Sequence, residues 1–525
     1  MNRETMLEKF ADSSRVWDLI IIGGGATGLG IAVDAASRGY KTLLLEQHDF
    51  AKGTSSRSTK LIHGGVRYLA QGNVSLVLEA LRERGLLLRN APHLVHHQAF
   101  VVPSYDWWEG PFYGIGLKIY DVLAGKLGLG PSRVLSREET LARIPTLEPA
   151  GLRGGVIYYD GQFDDARLAV ALAQTAADLG GTVINYMQVV ALLKASGLLC
   201  GVMAKDAETA IAYELRGRCV VNATGAYADA VRRMDETESA ALIAPSQGVH
   251  LVLDKSFLPG DHAIMVPHTD DGRVLFVVPW HGRALVGTTD TAIAEATLEP
   301  RPLQEEIEFL LKHAARYLTK DPSPLEVKSL FAGIRPLVKA GADKNTAALS
   351  RDHSILISKS GLLTITGGKW TTYRKMAEDA VSHAAVLAGL EERPCVTESL
   401  RLHGWSETER VDDDFDCYGA DTPALKDLPQ EKPDWAACLH PELPCFGSQV
   451  VWAARREMAR TVEDVLARRT RALLLDARAS VAIAPKVAEL LAQELQRDES
   501  WQERQVADYI NLARGYWLED TAGVG

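Results

Sequence analysis

The chain moves between two hydrophobic rhythms, and their order is the first structural signal. An unbroken apolar run, Leu19-Ile20-Ile21-Ile22, follows Asp18 and stops at Gly23. Such a short run, ended by glycine, reads as a strand buried on both faces. A helical stretch follows from Ala26 to about Ser37, closed by Gly39, and a second apolar strand, Thr42 to Leu45, ends at Glu46. Strand, helix and strand in that order predict a βαβ unit. The same rhythm returns later. A helix is predicted from about Asp165 to Leu179, then a strand from Thr182 to Tyr186 and one closing on Val220-Val221-Asn222-Ala223-Thr224-Gly225. The stretch 241–350 carries short strand runs, such as Val274 to Val278 and Ala284 to Gly287, with one helical run near 302–318, which predicts an antiparallel sheet. Residues 400–445 are rich in Asp, Glu and Pro without a sustained period and predict a linker or extended arm. From Gln449 onward, Val450, Val451, Ala454, Met458 and Val462 recur at helical spacing, which predicts a helical tail to about Trp517.

The predicted fold class is therefore α/β: a discontinuous dinucleotide-binding, Rossmann-like domain, an antiparallel β-sheet substrate domain and a C-terminal helical domain. The nucleotide pieces fall at about 16–90, 155–240 and 352–390, and the substrate or cap pieces at about 91–154 and 241–351. Together they make a region 16–400, followed by an arm and helical domain over 401–525. A length of 525 residues is enough for several lobes, at about 150 residues each. Acids outnumber bases by 68 to 57, and the net charge of −11 argues against a nucleic-acid partner held by bulk charge. No apolar run is long enough to predict a spanning helix. The opening residues lack the basic-then-apolar order of a secretory signal. The six cysteines form no CxxC pair and fit a reducing, cytoplasmic setting. The loose grouping of Cys438, His440 and Cys445 has no zinc spacing, so no metal site is expected.

The first apolar strand runs straight into G-x-G-x-x-G at Gly23, Gly25 and Gly28. The three glycines differ in mechanical role. Gly23 makes the tight turn, Gly25 lets backbone approach a pyrophosphate, and Gly28 lets the helix pack on the strand. Ala26 and Thr27 open the helix, whose free N–H groups favour phosphate. Glu46 can accept hydrogen bonds from ribose hydroxyls, with Gln47 beside it. This motif alone does not separate FAD from NAD.

A second polar, glycine-punctuated stretch runs from Gly53 to Leu69 (GTSSRSTKLIHGGVRYL), the composition of a ligand-wrapping loop. Here the chain resembles the FAD-dependent glycerol-3-phosphate dehydrogenases, including the quinone-linked aerobic enzymes. Four further blocks carry the resemblance in order: Asn222-Ala223-Thr224-Gly225-Ala226, Ser246-Gln247-Gly248-Val249-His250, Ala332-Gly333-Ile334-Arg335-Pro336-Leu337, and Gly367-Gly368-Lys369-Trp370-Thr371-Thr372-Tyr373-Arg374. The tail around Glu457 to Arg471 resembles that family's C-terminal helical domain. The resemblance implies FAD as cofactor, held by Gly23, Gly25, Ala26, Thr27, Gly28, Glu46, Gln47, Thr54, Ser55, Ser56, Thr59, Lys60, Leu61, His63, Gly64, Gly65, Val189, Ala223, Thr224, Gly225, Gly367, Gly368, Lys369 and Trp370. It implies sn-glycerol 3-phosphate as substrate, dihydroxyacetone phosphate as product and a quinone as electron acceptor. A glycerol-3-phosphate oxidase that uses O₂ shares every motif. A related amine or amino-acid oxidase, and a flavoprotein with a structural or RNA-modifying role, are more distant alternatives.

The residues also carry chemistry of their own. A phosphorylated polyol carries close to two negative charges, and forked guanidiniums match phosphate oxygens. Arg67 and Arg335 lie in glycine-bearing, otherwise apolar segments, where each needs a partner: a phosphate, or a carboxylate in a buried ion pair. The resemblance shifts both toward phosphate, with Tyr68 beside Arg67 lining the site. His250, on a strand-like alternation, is either a core histidine or the acceptor of the hydroxyl proton; the resemblance favours the acceptor, and Arg335 acting through water is the alternative. Lys369 after two glycines is either a solvated loop cation or the charge beside the flavin N1–C2=O edge. Thr371 and Thr372 read as the cap of the helix that follows.

The aromatic run Trp107-Trp108 to Lys118, with Lys126 beyond, suits either a membrane–water interface or a helical lobe packed on the flavin domain. Quinones live in the bilayer, so the resemblance implies peripheral attachment to the inner face of the cell membrane; a homodimer is compatible with it. The arginines at 455, 456, 460, 468, 469 and 471, interleaved with Glu457, Glu463 and Asp464, predict pairing on a helix surface.

Overall fold

The computed structural model describes residues 1–519 except 11, 13, 66–72, 107–108, 126–127, 268, 270–271, 340–352 and 408–413, with backbone only at 110–112. Arg67, Tyr68, Trp107, Trp108 and Lys126 lie outside the described residues.

The predicted βαβ unit forms as strand Val16–Ile22, helix Ala26–Ser37 and strand Thr42–Leu45. In the first sheet, strands Leu362–Gly367, Ala212–Asn222, Val16–Ile22, Thr42–Leu45 and Thr182–Ile184 run parallel in that spatial order. Strand His353–Ile357 adds an antiparallel edge beside Leu362–Gly367. Leu19, Ile20 and Ile21 are fully buried because helices cover both faces. Helix Ala26–Ser37 lies between helices Asp165–Asp178 and Tyr373–Leu387 and is apolar nearly all round for that reason. Asp164 caps helix Asp165–Asp178, accepting from the Arg167 N–H at 3.2 Å.

The second sheet is antiparallel apart from one parallel pairing, strand Val95–Ser104 with Ala263–Val266. Near one edge, strand Ile243–Asp254 pairs with Arg283–Gly287 on one side and Val327–Val338 on the other. That register sets Ser246 opposite Arg335 and His250 opposite Phe331, so one strand pair carries both predicted reactive residues. Helix Gln304–Tyr317 covers the outer face.

Three expectations are corrected. Strands Leu61–Ile62 and Gly154–Phe163 fall within the expected nucleotide pieces but hydrogen-bond in the second sheet. The loop after Gly53 therefore joins the two sheets. The segment 414–446 is no extended arm. It folds into short helical turns and a hairpin, Cys438–His440 with Leu443–Phe446, and its Tyr418, Leu425, Trp435 and Leu443 are buried. Its apolar residues are too sparse for a period yet each finds the core.

The third correction concerns the arginine cluster. Arg468, Arg469 and Arg471 are buried between the C-terminal helices and the nucleotide domain. Arg468 reaches Asp49 (2.6 Å), Glu463 (2.7 Å) and Asp464 (2.8 Å), and Arg469 grips Asp49 with both Nη atoms at 2.7 and 2.9 Å. Arg471 meets Asp164 at 2.8 Å, and Glu457 forks onto Arg167 at 2.7 and 2.8 Å. Burial alone would raise the Asp49 carboxyl, but the two guanidiniums hold it well below the usual range. Arg455, with Glu431 and Glu494, and Arg460, with Glu208, keep partly exposed pairings. Among the described residues no helix is long and apolar enough to cross a membrane, and no group of His, Cys, Asp or Glu could hold a metal ion.

Candidate active site

The phosphate turn has the shape its glycines predict. Gly23 has φ +110°, and a Cβ there would stand 2.8 Å from the Ala223 carbonyl, so the turn is pressed against Ala223 and Thr224. A Cβ on Gly28 would collide with the Gly23 carbonyl. Gly25 precedes the first turn of helix Ala26–Ser37 and offers no side chain to cap it. Instead Ser55 Oγ accepts the Ala26 N–H at 2.9 Å, tying the second signature to the first. Glu46 accepts the Gly24 N–H at 2.6 Å and the His48 N–H at 2.8 Å; burial raises its carboxyl and those bonds oppose the rise. A bare helix N-terminus beside a carboxylate at the end of the next strand fits the pyrophosphate and ribose of FAD. Val189 is buried in strand Met187–Ala195, two residues beyond Met187, whose N–H donates to the Glu46 carbonyl; Gln47 is exposed.

The loop from Gly53 then turns into the space between the sheets. Thr54, Thr59, Leu61 and His63 line a cavity of about 230 Å³ together with His250, Arg335, Gly367, Gly368, Lys369 and Trp370. Thr27, Ser56, Lys60, Gly64 and Gly225 do not line it. Residues Thr59, Leu61, His63 and Arg335, with Phe276, also line an adjoining cavity of about 190 Å³ that takes in Gly65. Trp370 Nε1 donates to the Ser55 carbonyl at 2.9 Å, closing the ring of loops. Lys60 is a different case from its neighbours. Its ammonium is fully buried and bonded to Asp165 at 2.7 Å and to the Ser56 carbonyl at 2.6 Å, so it braces the loop from beneath without lining the cavity. Thr371 and Thr372 do not cap by accepting; their hydroxyls donate to the carbonyls of His63 and Lys369, both at 3.4 Å.

His250 is 2 % exposed and stacks on Phe331 at 4.9 Å between centroids. Its Nε2 meets Thr59 Oγ1 at 2.9 Å, while Nδ1 is buried without a hydrogen-bond partner. A Cβ on Gly287 would strike the imidazole, so that glycine makes its room. Burial first, then Lys60 and Arg335, hold the ring well below the usual histidine range, hence neutral. Arg335 donates to the Thr289 carbonyl (3.1 Å) and Thr288 Oγ1 (3.2 Å) and meets Asp290 at 3.3 Å. Asp290 also accepts from Ser246 Oγ. Sequence reasoning missed Thr288, Thr289 and Asp290. The signal was present: a strand of apolar residues gives way at Gly287 to a short run of polar ones.

The chain matches the model of the FAD dependent oxidoreductase family over residues 18–374 and that of the C-terminal domain of alpha-glycerophosphate oxidase over 361–502. It is 40% identical over 551 residues to the mitochondrial glycerol-3-phosphate dehydrogenase of Homo sapiens, spanning 98% of this chain and 75% of that protein. It is 39% identical over 542 residues to that of Arabidopsis thaliana, spanning 94% and 86%. Its fold is similar to the glycerol-3-phosphate dehydrogenase from Bacillus halodurans, solved with FAD: TM-score 0.80, 28% identity, 100% and 99% of the two chains. FAD is thus the cofactor, and the chain belongs to the FAD-dependent glycerol-3-phosphate dehydrogenases.

Proposed function

We propose that the chain oxidises sn-glycerol 3-phosphate to dihydroxyacetone phosphate and passes the electrons to a quinone. The observation that carries this reading is the meeting of Arg335, His250 and Lys369 on one cavity wall with the Gly367–Trp370 loop. When bound, FAD supplies the acceptor for hydride. Arg335 binds the phosphate through its fork. His250 takes the hydroxyl proton. A neutral imidazole is the form that can do so, and a dianion on Arg335 offsets one of the two cations that depress its basicity. Lys369 contributes positive charge where the reduced ring becomes anionic.

A bilayer acceptor implies a lipid-facing surface, and one observation supports it. On helix Glu109–Ala124, Ile115, Ile119 and Val122 form one stripe, 67%, 48% and 79% exposed, beside Val134 at 58%. Sequence reasoning left the aromatic run open between such a contact and a packed helical lobe, and the exposed stripe supports the contact.

Anaerobic mixing with glycerol 3-phosphate tests the reading. The flavin absorbance should bleach, and glycerol without its phosphate should leave it unchanged. A soluble quinone should then restore the colour faster than air. Failure to bleach would remove the substrate, and faster recovery in air would make the protein an oxidase.

A further inference from the structure

The loop from Gly53 to Lys60 shapes most of the site but has only one short turn, Thr54–Ser56, to hold its form. It is held by its side chains instead. Thr54 Oγ1 donates to the Ile334 carbonyl at 2.5 Å, one residue before Arg335. Ser58 Oγ donates to Asp165 at 2.7 Å. Arg57 is the longest tether. Its guanidinium reaches the Leu298 carbonyl (2.7 Å), Glu299 Oε2 (2.7 Å) and the Tyr516 hydroxyl (3.0 Å). Tyr516 closes the triangle by donating to the same Glu299 oxygen at 2.7 Å. Arg57 and Tyr516 are buried, and Lys52 links the group to the C-terminal helices through Glu463 at 2.6 Å.

The tether sits where displacement matters. The Arg57 carbonyl would lie 2.6 Å from a Cβ on Gly333, so the loop is pressed against the strand that carries Arg335. Two residues on, Thr59 bonds His250. We propose that Glu299 and Tyr516 are positioning residues: through Arg57, the C-terminal domain fixes the loop that shapes the flavin cavity and aligns Thr59 with His250. Neither residue touches the reacting atoms. The proposal rests on the ring lying in the cavity lined by Lys369 and Trp370.

The test uses holoenzyme of Tyr516→Phe and Glu299→Gln, with FAD content, melting temperature, flavin midpoint potential, kcat and KM measured on each. Tyr516→Phe should retain FAD and melt near the parent, yet lose about tenfold or more in kcat, since small misplacements weigh heavily on chemistry. Glu299→Gln should shift the midpoint potential to a more positive value, because the Arg57 charge then lacks its carboxylate and favours the anionic reduced ring. A purely structural role would lower kcat only in step with FAD content or melting temperature, and that result overturns the proposal. Parental kcat per bound flavin with a parental potential overturns it too. Gly25→Val separates this idea from the placement of the cofactor: a side chain there meets the pyrophosphate, so FAD should be lost. Retained FAD would overturn the placement; lost FAD with an unshifted potential in Glu299→Gln would overturn the coupling alone.

Discussion

Arginine sits inside this molecule in two regions, fully buried in one and only partly in the other, and the company it keeps differs. At the interface with the C-terminal helices, Arg468 and Arg469 together face Asp49, Glu463 and Asp464, with charge-assisted bonds of 2.6 to 2.9 Å. In the cleft, the described partners of Arg335 are Asp290 at 3.3 Å, backbone oxygens and a hydroxyl, and it borders two cavities. The first arrangement is closed: both guanidiniums are buried and each lies against carboxylates. The second faces open space that an anion can enter. The same residue type thus closes an interface in one place and borders open space in the other.

The comparison can be broken most sharply at Asp49. Asp49→Ala removes the carboxylate that the buried Arg468 and Arg469 share, and removing one partner of a buried pair costs about 3–5 kcal/mol. Urea unfolding should show the fall as a lower midpoint; an unchanged midpoint would mean that water enters the interface. Arg335→Ala should behave oppositely. Its unfolding midpoint and FAD content should match the parent, while KM for glycerol 3-phosphate rises by about thirtyfold or more, as a loss of about 2 kcal/mol or more requires. Steady-state kinetics decide, and a parental KM would take Arg335 out of the substrate site. The smallest effect belongs to His403, which lies between Asp178 (2.6 Å) and Asp421 (2.9 Å) at the edge of the same interface. Burial lowers its pKa, but its hydrogen bonds to Asp178 and Asp421 outweigh that and push it up to about 9. A raised folded-state value stabilises the fold fully below the unfolded value of about 6.5 and loses that effect as pH rises. The stability gap between parent and His403→Gln should therefore shrink from pH 6.5 through about 9; a gap independent of pH would remove the ion pair.

The nucleotide half was legible because its signals are local. Strand Val16–Ile22, the glycine turn and helix Ala26–Ser37 are specified within a few residues of one another, and the structure places each near its predicted bounds. What escaped is long-range. Lys60 stands in the signature loop, but only the fold shows that Asp165 claims its charge. Arg468 and Arg469 have acids nearby in sequence, which predicted surface pairing, and nothing local says that Asp49 arrives from the other end of the chain. The segment 414–446 has no period because each buried residue packs on a different neighbour. His250 and Arg335 were found through the resemblance; their meeting follows from strand register, which no single segment encodes.

The contact between Arg57 and Tyr516 spans 459 residues of chain. During synthesis the loop leaves the ribosome long before its clamp exists. At about 5–20 residues per second, that interval is roughly 25 to 90 seconds. A nascent chain can build the glycine turn early, yet the loop above it settles only when the last helix has docked. The final setting of the cleft thus waits until the segment carrying Tyr516 has been made.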